Sequence, residues 1–171
     1  FVDIPVLARL LDRTDDVIDD IVASDPDLVA FSVLTASYQW SLRVAEAVKA
    51  RTSASVIFGG VHPSAVPEVC LENDAIDYVC VGEGEDALVE LCDGLPEQGR
   101  RPAEPIGNLW WRDGDQLVAG PARQFLGDLD SLPYFDKSIW SEHIRVADTW
   151  MTMSSRGCPY RCTFCFNNFF A

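Results

Sequence analysis

The last stretch of the chain carries Cys158-Pro159-Tyr160-Arg161-Cys162-Thr163-Phe164-Cys165, three cysteines spaced CxxxCxxC. Thiolates are soft anionic ligands, so three on one short loop suit iron–sulfur or zinc centres rather than hard, oxygen-seeking cations. Three protein thiolates on a four-iron cluster leave one iron open to chemistry, whereas four-cysteine runs saturate every iron. A competing reading is a structural zinc site in which His143 completes a Cys3His set, although such sites favour CxxC pairs. Unliganded thiols in a core are a third reading, and Pro159, Arg161 and Thr163 make poor core companions for them.

Three turns further upstream offer a second set of candidates: Ser32 with Thr35, Gly59-Gly60-Val61-His62-Pro63, and Gly82-Glu83-Gly84-Glu85. Glycines allow a backbone to approach a broad, flat ligand closely, and the hydroxyls of Ser32 and Thr35 can bond amides or phosphates. Each position also has a structural explanation. Glycines end strands, a histidine orders its own loop, and Glu83 and Glu85 favour the positive start of a following helix. Gly82-x-Gly84-x-x-Ala87 satisfies a loose dinucleotide fingerprint. Its two glutamates would face a pyrophosphate, and about 20 residues on, where an acidic ribose partner is required, stands Arg100-Arg101-Pro102.

The elements that must position these turns alternate in type. A short strand is expected over residues 1–4 and a helix from Thr14, its candidate N-cap, with Val17, Ile18, Ile21 and Val22 on one face. Asp25-Pro26 stops that helix. Residues 28–33 (LVAFSV) form an almost unbroken apolar run, as expected of a parallel strand covered on both faces. A helix follows with Tyr38, Leu42, Ala45 and Val48 inward and Lys49 and Arg51 at its negative end. Strands at 56–58 and 78–81 come next, with a short helix from Pro67 between them and a helix with Ala87, Leu88, Leu91 and Cys92 inward after them, capped by Gly94. This alternation is the pattern of an open parallel α/β sheet, and all three turns then lie at the carboxyl ends of its strands, where such sheets bind ligands. Residues 95–105 are a polar linker, 106–119 a hairpin turning at Asp113-Gly114, and 143–153 the strand that delivers the cysteine loop.

Among 171 residues, 48% hydrophobic and 23% charged content is that of an ordinary globular chain. Thirteen basic against 27 acidic residues leave a net charge of −14, which repels nucleic acid. No apolar run reaches membrane-spanning length. Cys70, Cys80 and Cys92 fall among apolar residues at irregular intervals and read as buried free thiols, which with an oxygen-labile cluster suits a reducing cytoplasm. The chain opens on Phe1 inside an apolar run and is expected to be an internal stretch of a longer enzyme.

Phe31-Ser32, Gly59-Gly60-x-His62-Pro63, Val81-Gly82-Glu83-Gly84-Glu85 and Asp128-Leu129-Asp130-x-Leu132-Pro133, in that order, precede Ser154-Ser155-Arg156-Gly157 and the cysteines, with Phe164 just before the third. This combination resembles cobalamin-dependent radical S-adenosylmethionine (SAM) enzymes over nearly the whole chain. The resemblance implies a four-iron four-sulfur cluster on Cys158, Cys162 and Cys165, next to Phe164, whose open iron chelates SAM. It implies a flavodoxin-like sheet of order 2-1-3-4-5 with cobalamin across its carboxyl edge, near Ser32, Thr35, Gly59, Gly60, His62, Gly82, Glu83 and Gly84. The domain order would be a cobalamin-binding domain at 1–95, a hairpin and linker at 96–140, and the start of the radical SAM barrel at 141–171. The implied reaction is methyl transfer to an unreactive carbon through a deoxyadenosyl radical and methylcobalamin. The implied partners are a small-molecule or peptide substrate and an electron donor such as flavodoxin or ferredoxin, with neither nucleic acid nor membrane. Other members cyclise or rearrange their substrates, and a non-catalytic cobalamin module with a zinc site is the alternative outside that class. Two departures stand out: the family's first strand would precede Phe1, and the DxHxxG motif of a cobalt ligand occurs nowhere in the chain.

Overall fold

The strand runs at 28–33 and 56–58 are each followed by helical chain that crosses back over the sheet before the next run begins, which lets those neighbouring strands pair in parallel. In the computed structural model, which describes residues 13–94, 102, 104–134, 136, 155–160 and 162–166, β1 (Leu28–Ser32) pairs parallel with β2 (Ser55–Gly59), and β2 with β3 (Tyr78–Cys80). Antiparallel β4 (Leu109–Asp113) adds to β3 and β5 (Gln116–Ala119) to β4, giving one five-stranded sheet in sequence order. The expected α/β sheet is thus present, with an antiparallel edge. Among the described residues β1 has a strand partner on one side only. The strands expected at 1–4 and 143–153, and His143, lie outside the described residues.

Period-two alternation sorts the strand side chains into two layers. Val56 and Phe58 pack with Val79, Cys70, Leu71 and Ala45 of α2 (Tyr38–Arg51), while Ile57, Tyr78 and Cys80 meet Ala87 and Leu91 of α5 (Glu85–Asp93) on the opposite face. The short helices α3 (Val61–Ala65) and α4 (Pro67–Cys70) connect β2 to β3. Helix α1 (Thr14–Ala23) adds an outer contact, with Ile18 against Trp40, Val44 and Val48 of α2.

Several local expectations change in this context. Thr14 is the first helical residue rather than the N-cap, because its Oγ1 accepts the Trp40 Nε1–H at 3.1 Å. Helix α2 buries Trp40, Ser41 and Val44 besides Ala45 and Val48, since it is covered by α1 as well as by the sheet. In β1, Val29 and Phe31 pack towards α1 and α2 and Leu28 against the cluster that holds Ala87 and Leu91, while Ala30 and Ser32 stay exposed, so among the described residues the second face of the strand is only partly covered. On α5 only Ala87 and Leu91 turn inward; Leu88 and Cys92 rotate to solvent, which makes Cys92 an exposed thiol while Cys70 and Cys80 are buried. The hairpin turns one residue later than expected. Asp113 pairs with Gln116, leaving Gly114-Asp115 as the loop with Gly114 at φ +59°, the glycine-first arrangement of a II′ turn. Its tryptophans Trp110 and Trp111 pair with Val79 and Tyr78 and point to opposite faces, Trp110 against the cluster that holds Phe58 and Leu71 and Trp111 into the one that holds Ala87 and Leu91.

At the amino edge, the Asp77 carboxylate accepts the Val56 N–H at 2.7 Å and the Lys49 ammonium at 2.9 Å, tying β2, α2 and the start of β3 together. The chain divides into two compact units at Phe125. The second contains a 3-10 turn (Leu129–Ser131), capped by Asp128 accepting from the Asp130 N–H at 3.0 Å, and the cysteine loop. No helix among the described residues is long and apolar enough to cross a membrane.

Candidate functional site

Parallel pairing places the ends of β1, β2 and β3 at one edge, and hydrogen bonds knit the turns that follow them. The Val33 N–H donates to Gly59 O at 2.7 Å and the His62 N–H to Val33 O at 3.1 Å, joining the turn after β1 to the turn after β2. Thr35 Oγ1 and His62 Nδ1 are hydrogen-bonded at 3.1 Å, and the Tyr38 and His62 rings lie 4.5 Å apart. Partial burial holds the His62 imidazole below its usual pKa and so favours the neutral ring, consistent with a residue that orders the two loops. The third turn is reached through Ser64 Oγ, which accepts the Gly82 N–H at 2.9 Å.

The glycines of these turns are explained first by the backbone. Gly60 has φ +96°, and a Cβ there would stand 2.9 Å from Val33 N. Gly82 has φ +91°. A Cβ on Gly59 or Gly84 would instead make ordinary contacts, at 3.8 Å from Cys80 Cβ and 3.4 Å from Cys80 Sγ respectively. Glu83 turns its carbonyl inward, where it accepts the Asn108 Nδ2–H at 2.9 Å and faces Cys80 Sγ at 3.8 Å. Burial pushes the Cys80 thiol up to about 11, and Cys70, buried beside Tyr38, likewise to about 11.

Ser32, Thr35, Gly59, Gly60 and His62 are therefore brought together, with Gly82, Glu83 and Gly84 adjoining through Ser64. The rim they form is open: Ser32 and Thr35 are exposed, as are the apolar side chains of Leu34 and Val61. Apolar groups flanked by hydroxyls and closely spaced backbone fit one face of a flat macrocycle with polar amides at its margin. Sequence reasoning placed Leu34 and Val61 in the candidate loops without singling them out, and passed over Ser64 and Asn108. Ser64 and Val61 lie in or next to the Gly-Gly turn, and Leu34 follows the first strand, so adjacency was their only signal. Asn108 had none beyond the preceding Gly107.

Within the second unit, the Cys165 N–H donates to Cys162 O at 3.1 Å, and Gly157 at φ +77° turns the chain into Cys158. Cys158 and Cys165 are half-buried, Cys162 is exposed, and Phe164 is 91% exposed. All three thiols are free, and among the described residues no three His, Cys, Asp or Glu side chains stand as a formed metal set. The donor chemistry, three thiols with no carboxylate between them, nonetheless suits a soft iron–sulfur centre.

The B12 binding domain profile matches residues 2–92, more than half of the chain. The chain belongs to the B12-binding domain family. It is 31% identical over 146 residues to an uncharacterized methyltransferase of Pyrococcus horikoshii, covering 82% of this chain and 31% of that protein. It is 32% identical over 154 residues to the anaerobic magnesium-protoporphyrin IX monomethyl ester cyclase of Cereibacter sphaeroides, covering 82% and 24%. The cobalamin-dependent radical SAM methyltransferase TokK of Streptomyces tokunonensis is 30% identical over 153 residues, covering 82% and 22%. Among solved structures, the radical SAM methyltransferase TsrM of Kitasatospora setae superposes with TM-score 0.58 and 25% identity, covering 67% of this chain and 23% of that one. The resemblance drawn from the motifs is thus upheld: this B12-binding domain stands among those of cobalamin-dependent radical SAM enzymes. The chain spans about a quarter to a third of the length of the first of these relatives.

Proposed function

We propose that this chain is the cofactor-binding part of a cobalamin-dependent radical SAM enzyme that methylates an unreactive carbon of a small-molecule or peptide substrate. The observation that carries the reading is the meeting of the turns after β1, β2 and β3 at one carboxyl edge, in a chain that also holds CxxxCxxC. In this reading the domain order is a cobalamin-binding sheet, a hairpin and linker, and from residue 141 the start of the radical SAM domain. Ser32, Leu34, Thr35 and Val61 offer the rim for cobalamin, His62 and Ser64 hold its loops in place, and Gly82, Glu83 and Gly84 form its third side. Cys158, Cys162 and Cys165 hold the four-iron four-sulfur cluster, beside Phe164. Bound there, the cluster would supply the electron, passed on from a flavodoxin- or ferredoxin-like donor, for reductive cleavage of SAM with release of methionine, and cobalamin would supply the methyl group.

A second reading, cyclisation, draws on the cyclase relative at 32% identity. Labelled SAM separates the two: methylation carries the label of the SAM methyl into product, whereas cyclisation yields deoxyadenosine and an unlabelled product. Anoxic reconstitution of the intact protein with iron and sulfide, and titration with hydroxocobalamin, test the cofactors directly. Stoichiometric zinc with no SAM-sensitive iron–sulfur spectrum would refute the radical chemistry. Each of Cys158→Ala, Cys162→Ala and Cys165→Ala is expected to lose bound iron, while Cys92→Ala keeps it.

A further inference from the structure

Asn108 lies beyond the stretch matched by the B12 binding domain profile, which ends at residue 92, yet it grips the third turn of the candidate site. It stands one residue before β4, whose Leu109 pairs with Cys80 at the carboxyl end of β3. Its backbone is left-handed, with φ +64°, and its side chain is buried. In that conformation the Asn108 carbonyl accepts the Val81 N–H at 2.8 Å, while Nδ2 donates to Glu83 O at 2.9 Å. One residue thus brackets Gly82 from both sides. The grip is itself supported from behind. Asn108 N–H donates to Pro121 O at 2.9 Å, and Asn108 Oδ1 accepts the Arg123 N–H at 2.8 Å. Arg123 in turn reaches back to α5, the helix that starts after the turn, with an ion pair to Glu90 at 2.6 Å.

We propose that Asn108 is a positioning residue for cobalamin, and that the hairpin and its return, residues 106–124, are a working part of the cofactor site. The inference rests on the cobalamin reading given above. The chemistry is that of an asparagine for which no other side chain substitutes. It tolerates the left-handed backbone and carries a donor for Glu83 O and an acceptor for the Arg123 N–H on one short amide. Glu83 O is thereby held on the inner side of the turn, between Asn108 Nδ2 and Cys80 Sγ. Besides this grip, the turn is held by Ser64 at Gly82, by the Leu88 N–H on Gly84 O at 2.8 Å and by the Cys80 contact at Glu83 O.

Two substitutions in the intact protein separate positioning from folding. Asn108→Asp keeps the acceptor for Arg123 and sets an oxygen against Glu83 O; Asn108→Gly keeps the backbone conformation and removes the side chain. Both are expected to weaken hydroxocobalamin binding roughly tenfold, the scale of one well-formed hydrogen bond to a constrained loop. Both should also speed amide hydrogen exchange at residues 82–84 without ligand, while β2 stays protected. Asp77→Ala is the control: its carboxylate accepts the Val56 N–H at 2.7 Å at the amino edge, away from the turn and outside residues 106–124, so it should lower stability and leave cobalamin affinity unchanged. Unaltered affinity and exchange in both Asn108 variants would overturn the proposal. Faster exchange with unaltered affinity would show that the grip does not serve the cofactor, which also overturns it. If the unsubstituted protein binds no hydroxocobalamin, the cobalamin reading itself falls.

Discussion

Gly60→Ala is the sharpest single perturbation of the site. Gly60 adopts φ +96° and ψ −169°, a region open essentially to glycine alone, and forcing an alanine into it costs about 1–3 kcal/mol. The added Cβ would stand 2.9 Å from Val33 N, 3.1 Å from Val33 O and 3.3 Å from Ser32 Oγ. Two of these are backbone atoms already committed, Val33 N donating to Gly59 O and Val33 O accepting from His62 N–H. Relief of the overlap must stretch the bonds that join the first two turns, adding a cost of overpacking of about 1–3 kcal/mol. The sum, about 4 kcal/mol, is a large part of the 5–15 kcal/mol that typically holds a domain together. Urea unfolding of the intact protein, followed by tryptophan fluorescence, reads it, since Trp40 and Trp111 are buried. The companion Gly59→Ala adds a Cβ at ordinary distance, 3.8 Å from Cys80 Cβ, with no positive φ, and should change stability by less than about 1 kcal/mol. Equal losses in the two variants would refute the reasoning, because the strain argued here belongs to Gly60 alone.

The His62 imidazole has its pKa lowered in the fold, so the unfolded chain binds the extra proton first. Its contribution to stability is therefore present above the ordinary value near 6.5 and lost as pH falls toward the folded value. His62→Gln should flatten the stability profile between pH 5 and pH 7; an unchanged slope would show that the ring is not desolvated. With Cys70 and Cys80 pushed up to about 11, in a variant lacking Cys158, Cys162 and Cys165 the Cys92 thiol should react fast with an aromatic disulfide reagent at pH 8, and Cys70 and Cys80 only on unfolding, as peptide mapping of the labelled sites would read. Asp77→Ala removes the acceptor for both the Val56 N–H and Lys49 and should cost about 2 kcal/mol in the same urea assay, with cobalamin affinity unchanged because the group lies at the amino edge.

The alternation of elements was legible because it rests on local chemistry: apolar runs bounded by Gly and Pro for the strands, 3.6-residue periodicity for the helices, and a fixed rule that ligands meet parallel sheets at their carboxyl ends. Cysteine spacing likewise carries its own chemistry, since three thiols on one loop stay together whatever the rest of the chain does. Neighbours decided the remainder. Thr14 lost its capping role to Trp40, 26 residues away, and the outward rotation of Cys92 depended on which face of α5 met Ile57 and Tyr78. The glycines of the turns could be found from sequence, but only the close approach of Val33 separates Gly60, which must be glycine, from Gly59, which need not be. Asn108 is the clearest case: its left-handed backbone and paired hydrogen bonds exist only because an antiparallel hairpin returns to the end of β3. Local pattern therefore determined the elements and the edge they present, whereas pairing distant in sequence decided which side chains hold that edge in shape.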